Sequence, residues 1–264
     1  MNWTYSRQMG IVAPEVGWTP PIRYLLRRAR ILSLLRKSPT GRLLEIGCGS
    51  GALLCDLTRL GFSAQGLETS AQALSMATQL AELAASPHHI FPTPQPGWES
   101  AFDVICAFDV LEHIEDDAQA LNEWIRWLAP RGELILSVPA HRSRWGAGDE
   151  WAGHWRRYDR RDIQELIASQ GLEIIHFECY GFPLANATEF FGNASYRRMI
   201  KQRADQSKAY ATASSGVDRS SYSRLIKWIT SLPGQTAMSA AMAFQAMTQR
   251  TDWGSGYLLA ARRR

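Results

Sequence analysis

Glycines alternate at positions 47, 49 and 51, directly after an apolar stretch that reads Leu43-Leu44-Glu45-Ile46. The apolar run predicts a strand over residues 42–46, and the spacing of apolar residues after the last glycine predicts a helix over 52–60. Glycine lets the backbone turn sharply and lie against a ligand where a side chain would collide. The pattern therefore predicts a strand, a tight turn that contacts a ligand, and a helix.

Strand and helix patterns alternate along most of the chain. Further strands are predicted at 63–67, 88–91, 102–107, 133–138, 172–179 and 257–261, and further helices at 22–35, 70–85, 118–128 and 160–169. Each crossover helix must pack back on the sheet, so this alternation favours a mostly parallel sheet with helices on both faces. The fold class predicted is α/β, with seven strands and a helical insertion before the last one.

The same patterns divide the chain into four parts. Residues 1–38 form a helical cap, 39–182 the α/β core, 183–253 the helical insertion on the acceptor side, and 254–264 the last strand of the core sheet. Within the insertion we predict helices at 193–203, 224–231 and 236–249, the last two separated by Pro233-Gly234. A serine-rich stretch over 207–223 is expected to be mobile.

The formal net charge is +4, and most of the excess comes from arginine clusters. Arginines spaced along a helix usually form a solvated face, so we expect no nucleic-acid partner. The clusters comprise Arg23, Arg27, Arg28 and Arg30; Arg156, Arg157, Arg160 and Arg161; and Arg262 to Arg264.

The cysteine pattern and the hydropathy indicate the cellular compartment in which the protein is found. The four cysteines are scattered without a Cys-x-x-Cys pair, which predicts reduced and mostly buried thiols rather than disulfides or structural zinc. No apolar run approaches the ~18 residues of a membrane-spanning helix. The first 21 residues lack a basic stretch followed by an apolar run, so they do not resemble a secretory signal. We expect a cytoplasmic location.

Glu45 distinguishes two interpretations of the glycine turn. The residues Gly47, Gly49 and Ala52 can be aligned with the dinucleotide-binding pattern. However, an acid two residues before the first glycine would repel a pyrophosphate, whereas it suits a cationic ligand that carries an ammonium and a sulfonium. A glycine-rich turn without any ligand is the third interpretation.

At this point the chain resembles the class I S-adenosylmethionine-dependent methyltransferases, which have a Rossmann-like fold and a first motif of the form acid-x-Gly-x-Gly-x-Gly. The resemblance covers roughly residues 40–182 and implies S-adenosylmethionine as the cofactor. It implies that the turn contacts the cofactor and that Glu68, followed by Thr69, binds the ribose hydroxyls. The turn residues are Glu45, Gly47, Cys48, Gly49 and Gly51.

Two further loops are interpreted through this resemblance. The run from Phe102 to Ile114 matches the family's fourth strand and the loop after it, which implies that Asp109, Val110 and His113 line the cofactor pocket. The acid with which the family often binds adenine is missing. Adenine recognition is left to backbone groups, Thr93 or Gln95.

A hydroxyl acceptor must lose its proton, and histidine is the usual base near neutral pH. The segment 139–158 follows the fifth strand, at the edge where open α/β sheets bind ligands. It resembles a branch of these methyltransferases that carries a Gly-His-x-Arg-Arg-Tyr run here. We predict His154 or His141 as the base, with Tyr158 or Arg157 orienting the acceptor. The alternative is that His154 and Tyr158 only hold the loop in place.

The run Asp109-x-x-Glu112-His113 also resembles the ubiquinone-pathway O-methyltransferases and could hold a divalent cation. Carboxylates and imidazoles at this spacing often only cap a turn, so we predict no metal.

The acceptor is expected to be a small molecule or a lipid-like molecule. The insertion carries an apolar stripe that suits a flexible ligand, although core packing or a homodimer contact explains it as well. Basic residues beside the stripe suggest contact with a membrane surface. RNA or protein methyl transfer, and cofactor binding without catalysis, remain alternatives. The stripe comprises Trp228, Ile229, Leu232, Met238, Met242, Phe244 and Met247, and the basic residues are Arg224, Lys227 and Arg250.

Overall fold

The computed structural model describes residues 3–38, 40–202 and 231–263. Near the N-terminus, β1 (Thr4–Ser6) and β2 (Gly10–Val12) form a separate antiparallel pair. The main sheet consists of β3 (Arg42–Ile46), β4 (Ser63–Leu67), β5 (His89–Phe91), β6 (Phe102–Phe108), β7 (Leu128–Pro139), β8 (Leu172–Tyr180) and β9 (Gly256–Arg263). Its spatial order is β5-β4-β3-β6-β7-β9-β8, with β9 antiparallel to both of its neighbours and the other pairs parallel.

Helices cover both faces of this sheet, as predicted. They are α1 (Ile22–Leu35), α2 (Ala52–Arg59), α3 (Ala71–Leu83), α4 (Asp117–Trp127), α5 (Ala147–Ala152), α6 (Arg160–Ser169), α7 (Leu184–Gln202) and α8 (Leu232–Thr248). Alternate residues of a strand point to opposite faces. Leu43 packs with residues of α1 and α2, whereas Leu44 packs with residues of α4 and α6. Burying each such leucine stabilises the fold by ~1.5–3 kcal/mol.

Four features differ from the sequence expectations. The β1–β2 pair and the short helix α5 were not predicted, because neither is long enough to show a hydrophobic period. Helix α7 begins at Leu184 rather than at residue 193. Helix α8 begins at Leu232 rather than at residue 236, so Pro233-Gly234 lies in its first turn, where Ser231 Oγ accepts from Gly234 N at 3.3 Å. Proline is tolerated there because the first-turn amides have no partner in the helix.

Some expectations fall outside the described residues, namely the helix at 224–231 and the mobility of 207–223. In the described ranges all four cysteines are free and buried, as expected. No helix among residues 3–38, 40–202 and 231–263 has the length and hydropathy needed to cross a membrane.

Candidate functional site

A cavity of about 790 Å³ opens at the carboxyl ends of β3 and β6, beneath α1, α5 and α7. It brings together eight of the residues predicted from the sequence: Glu45, Gly47, Cys48, Gly49, Asp109, His113, His154 and Arg157. The other predicted residues do not line it: Gly51, Glu68, Thr69, Val110, His141 and Tyr158.

The glycine turn needs its glycines for different reasons. Gly47, Gly49 and Gly51 have φ of 63°, 55° and 68°, in the left-handed region that L side chains rarely adopt. A Cβ on Gly47 would lie 2.6 Å from Val110 Cγ2, so Val110 packs against the turn from behind. A Cβ on Gly49 would meet no atom within 4 Å, and Gly49 lines the cavity. The open side of the turn therefore lies at Gly49.

Glu45 is 5% exposed, and its Oε2 atom is buried without a hydrogen-bond partner. Burial raises the pKa of Glu45 to about 8, although Arg27 opposes the shift. A buried carboxyl group without a partner is costly unless a donor or cation reaches it. The ammonium of a bound S-adenosylmethionine fits this requirement.

Glu68 organises the turn rather than lining the cavity. Its Oε2 accepts from Gly49 N at 2.8 Å, and its Oε1 accepts from Ser70 N at 2.8 Å. The neighbouring Thr69 is exposed. Each carboxylate oxygen has a second lone pair, so these bonds leave acceptor capacity for a ribose diol.

Helix α1 contributes two cavity residues that the sequence interpretation missed, Arg23 and Arg27. Both face Asp109 at the end of β6; Arg27 forms an ion pair with it, and the Arg23 Nη2 atom lies 3.8 Å from its Oδ2 atom. The expectation of a solvated face is wrong for this helix, because Arg28 pairs with Asp56 at 2.6 Å and Arg30 with Glu178 at 2.8 Å, and both of these carboxylates are buried. In the sequence, only the high density of arginines before β3 could have indicated that Arg23 and Arg27 face the cavity.

Asp109 joins several elements at the edge of the sheet. Ser137 of β7 donates to its Oδ1 at 2.9 Å, and Tyr180 of β8 does so at 3.4 Å. Burial by itself would raise the pKa of Asp109, but Arg27 and Arg23 hold it below its ordinary value. Asp109 is therefore an anion that anchors both arginines beside the glycine turn.

His113 and His154 meet inside the cavity, with ring centroids 4.6 Å apart. Burial and the neighbouring His154 lower the pKa of His113 to about 4, so this ring is neutral near pH 7. Glu112 lies beside them, and burial raises the pKa of its carboxyl group well above the ordinary value.

Two clusters within the described ranges could hold a metal ion. Glu112, His113 and His154 place one ligand atom each within 4.8 Å of one another, and both Glu112 oxygens are buried without a hydrogen-bond partner. Donors of this type suit a divalent cation, so the prediction of no metal stays a prediction.

The second cluster consists of His141, Cys179 and Asp252, at the same mutual distances. Here Asp252 already pairs with Arg160 at 3.2 Å, which competes with a cation.

His154 has a defined orientation. Its Nδ1 lies 2.9 Å from Asp149 Oδ1, and the side chain of Asp149 is 2% exposed. Burial by itself would raise the pKa of Asp149, but the hydrogen bonds from His154 and Arg157 lower it to about 2. In the neutral imidazole, a contact between Nδ1 and an ionised Asp149 favours the tautomer with the proton on Nδ1 and the lone pair on Nε2.

His141 and Tyr158 lie away from the cavity. The His141 Nδ1 atom is 3.5 Å from the Tyr257 hydroxyl, beside β9. Tyr158 is 3% exposed, and its hydroxyl donates to Asp117 at 2.8 Å. Burial and this hydrogen bond raise the pKa of Tyr158. Of the two histidines proposed as the base, only His154 lines the cavity.

The wall opposite the glycine turn comes from α5 and α7. The rings of Trp151 and Tyr196 pack in a tilted arrangement with centroids 5.1 Å apart, and Asn193 accepts from Gly148 N at 3.3 Å. All three line the cavity. Aromatic faces with a few polar groups are typical of sites for small organic molecules.

Sequence comparisons identify relatives of the chain. A family model described as a methyltransferase domain matches residues 22–177. The ubiquinone biosynthesis O-methyltransferase of Nitrobacter winogradskyi is 34% identical over 114 residues, which cover 42% of each chain. The enzyme of the same name from Cereibacter sphaeroides is 27% identical over 180 residues, covering 66% of this chain and 72% of that one. The chain spans about half or less of the length of the first curated relatives that it matches.

Solved structures share the fold at low identity. The [4+2]-cyclase SpnF matches with a TM-score of 0.59 and 17% identity, covering 94% of this chain and 83% of that one. An S-adenosylmethionine dependent methyltransferase from Mesorhizobium loti matches with a TM-score of 0.53 and 17% identity, covering 89% and 98%. A cyclase among these structures illustrates that the fold by itself does not determine the reaction.

The family assignment therefore depends on the sequence match together with the site. The family model covers α1, the glycine turn, the sheet up to β8 and the loop that carries His154. The cavity is lined by the acidic residue and the first two glycines of the first motif, Glu45, Gly47 and Gly49, and all three glycines of the motif have a positive φ. The chain belongs to the class I S-adenosylmethionine-dependent methyltransferases.

Proposed function

We propose that the chain transfers the methyl group of S-adenosylmethionine to a hydroxyl oxygen of a small organic acceptor, with His154 as the general base. The single observation that carries the proposal is the orientation of His154 in the cavity, where its Nδ1 lies 2.9 Å from Asp149 Oδ1, an arrangement in which Nε2 serves as the basic atom. The O-methyltransferase names of the relatives support the same class of reaction.

The residues of the cavity fit both charged groups of the cofactor's methionine part, the ammonium and the carboxylate. Glu45 offers a buried oxygen without a partner for the ammonium, and Arg23 and Arg27 offer guanidinium groups for the carboxylate. Gly49 offers an open backbone surface, and Glu68 remains our proposed ligand for the ribose hydroxyls. When bound, the cofactor supplies an electrophilic methyl carbon on a sulfonium and leaves as a neutral thioether.

The protein's own contribution to the reaction is orientation and proton removal. Trp151 and Tyr196 hold the acceptor against α5 and α7, with its hydroxyl directed at His154. His154 Nε2 would accept the proton of the acceptor hydroxyl, and Asp149 would stabilise the imidazolium that forms. Displacement of water by the acceptor strengthens these electrostatic interactions.

The test begins with calorimetric titration of the purified chain with S-adenosylmethionine, for which we expect micromolar affinity. The chain is then incubated with methyl-labelled cofactor and a cell extract, and the label is traced to small molecules, RNA or protein. We expect the label in the small-molecule fraction. Label in RNA or protein would favour the alternative methyl acceptors, and binding without any transfer would favour a nonenzymatic protein.

Matched histidine variants then test the base. His154→Gln should lower turnover by ~10²–10⁴-fold while cofactor affinity is retained. His141→Gln is the control, because His141 does not line the cavity. Loss of turnover only in the control variant would overturn the assignment. Dialysis against EDTA, with turnover retained, would separate a base from a metal ligand at His154.

Other expectations remain predictions. Helices α7 and α8 carry apolar side chains that are largely exposed, with Phe190 at 75%, Phe191 at 76% and Met247 at 80%. A lipid-like acceptor, contact with a membrane surface and a homodimer would each cover some of this area. Met238, by contrast, is buried against Leu25 and Leu26 of α1, as core packing predicts. The cytoplasmic location is proposed on the sequence alone.

A further inference from the structure

Asp149 receives more hydrogen bonds than the local backbone requires. Its Oδ2 accepts from Gly146 N at 2.9 Å and so closes the first turn of α5. Its Oδ1 accepts both from His154 Nδ1 at 2.9 Å and from Arg157 Nε at 2.8 Å. Three donors on one buried carboxylate fix its position and its charge.

Helix α5 explains why Asp149 and His154 meet. The helix ends at Gly153, whose φ of 76° lets the chain reverse, and His154 N then donates to Asp149 O at 3.0 Å. The backbone and side-chain contacts between the same two residues reinforce each other. The short helix α5 thus positions the imidazole of His154.

Arg157 connects Asp149 to helix α7. Its side chain is 3% exposed, and its Nη2 lies 2.5 Å from Glu189 Oε1. Glu189 lines the same cavity as His154. An arginine that bridges two carboxylates in a buried site has little rotational freedom, because its planar group must satisfy both at once.

We infer that Asp149 is a positioning residue that selects the reactive tautomer of His154. The Arg157–Glu189 ion pair holds Asp149 and His154 in place against helix α7, on the acceptor side of the cavity. This inference rests on the proposed function, since His154 must be the base for its tautomer to matter. It assigns Asp149, Arg157 and Glu189 to the reaction although the proton is taken by His154.

The decisive variant is Asp149→Asn. The amide NH₂ of asparagine can donate to Nδ1, which would move the imidazole proton to Nε2 and remove the lone pair that accepts the hydroxyl proton. Two-bond ¹H–¹⁵N correlation spectra of ¹⁵N-histidine-labelled protein report which ring nitrogen carries the proton. We expect Nδ1–H in the parent protein and Nε2–H in the variant.

The kinetic expectation is a fall in turnover of roughly 10²-fold or more with cofactor affinity unchanged. Glu150→Gln is the matched control, because it removes one negative charge from the same helix at an exposed position. If Asp149→Asn does not fold, Glu189→Gln gives a second test. It leaves Asp149 and His154 in place, so turnover should fall by a smaller factor while the proton stays on Nδ1.

The outcomes separate this inference from the proposed function. Absence of methyl transfer by the parent protein would overturn the proposed function. An active parent protein whose Asp149→Asn variant has unchanged tautomer and turnover would overturn the inference alone, whereas an active parent protein with the proton on Nε2 would overturn both the inference and the assignment of His154 as the base. Equal losses in Glu150→Gln and Asp149→Asn would also overturn it, because a general charge effect would then explain both.

Discussion

Arg27 of α1 forms an ion pair with Asp109, which follows β6 at the edge of the sheet. Neither side chain is more than a quarter exposed, at 15% and 22%. Through this pair the N-terminal helix closes the cofactor side of the cavity, next to Glu45 and the glycine turn. We therefore expect the stability of the fold and the binding of the cofactor to depend on the same residues.

Arg27→Met should destabilise the protein, since it leaves Asp109 charged, half-buried and short of its main partner. Complete removal of a partner in a fully buried pair costs ~3–5 kcal/mol, and the partial exposure here reduces the expected loss to about 1–3 kcal/mol. Urea unfolding measures the change. Adding Asp109→Asn should recover much of it, because asparagine tolerates the φ of 56° at this position. Strictly additive losses would contradict the pairing.

Glu45 should make the free protein less stable at alkaline pH. Its folded pKa of about 8 exceeds the ordinary value of 4.5, so the folded state holds a proton that the unfolded state releases. Stability is then complete below the ordinary pKa and declines as pH rises towards 8, at up to ~1.4 kcal/mol per pH unit. Glu45→Gln should flatten the decline in thermal stability between pH 5 and 8. An identical slope in both proteins would exclude a buried, protonated Glu45.

Asp149 should have the opposite dependence. Its folded pKa of about 2 lies below the ordinary 3.8, so its contribution of about 2 kcal/mol is present above pH 4 and is lost as pH falls towards 2. The stability difference between the parent protein and Asp149→Asn should therefore narrow on acidification. Urea titrations at pH 6, 4 and 3 follow it. A constant difference over this range would show that Asp149 has no lowered pKa.

Gly47→Ala and Gly49→Ala form a matched pair. Both place alanine at a positive φ, but only the Cβ at position 47 meets Val110, at 2.6 Å. Gly47→Ala should lower the free energy of unfolding by about 1 kcal/mol or more beyond the loss in Gly49→Ala. The reason is that its Cβ forces packed atoms to shift, which costs ~1–3 kcal/mol. The second should lose cofactor affinity instead, because its Cβ enters open space at the cavity. Thermal unfolding and calorimetry separate the two effects, and equal effects on both would contradict the assignment.

Glu68→Ala should weaken S-adenosylmethionine binding by ~1.5–3 kcal/mol, the range for hydrogen bonds to a charged group. Part of this loss would be indirect, since Glu68 also accepts from Gly49 N. Glu68→Gln keeps one acceptor oxygen and serves as the control, with a smaller expected loss. An unchanged dissociation constant for Glu68→Ala would exclude a role for this residue in the cofactor site.

Local patterns predicted the fold class and the glycine turn, whereas the assignment of residues to the cofactor stays a prediction. The apolar run before Gly47 could only be a buried strand, and alternate glycines could only be a turn with positive φ. Predicted bounds agree within a few residues for α1, β3, β4 and α6. These features depend on neighbours in the chain, and for that reason spacing reveals them.

Tertiary structure decided which charged residues face the cavity. By spacing alone, Arg27 resembles a solvated residue, and His141 is as plausible a base as His154. Arg27 turns inward because Asp109, far away in sequence, compensates its burial, and His154 enters the cavity because α5 presents Asp149 to it. Burial of a charge is stable only when a partner is in reach. The sequence by itself determined the sheet and the glycine turn, whereas the pairing of distant charges, and with it the candidate base, was fixed only by the packed fold.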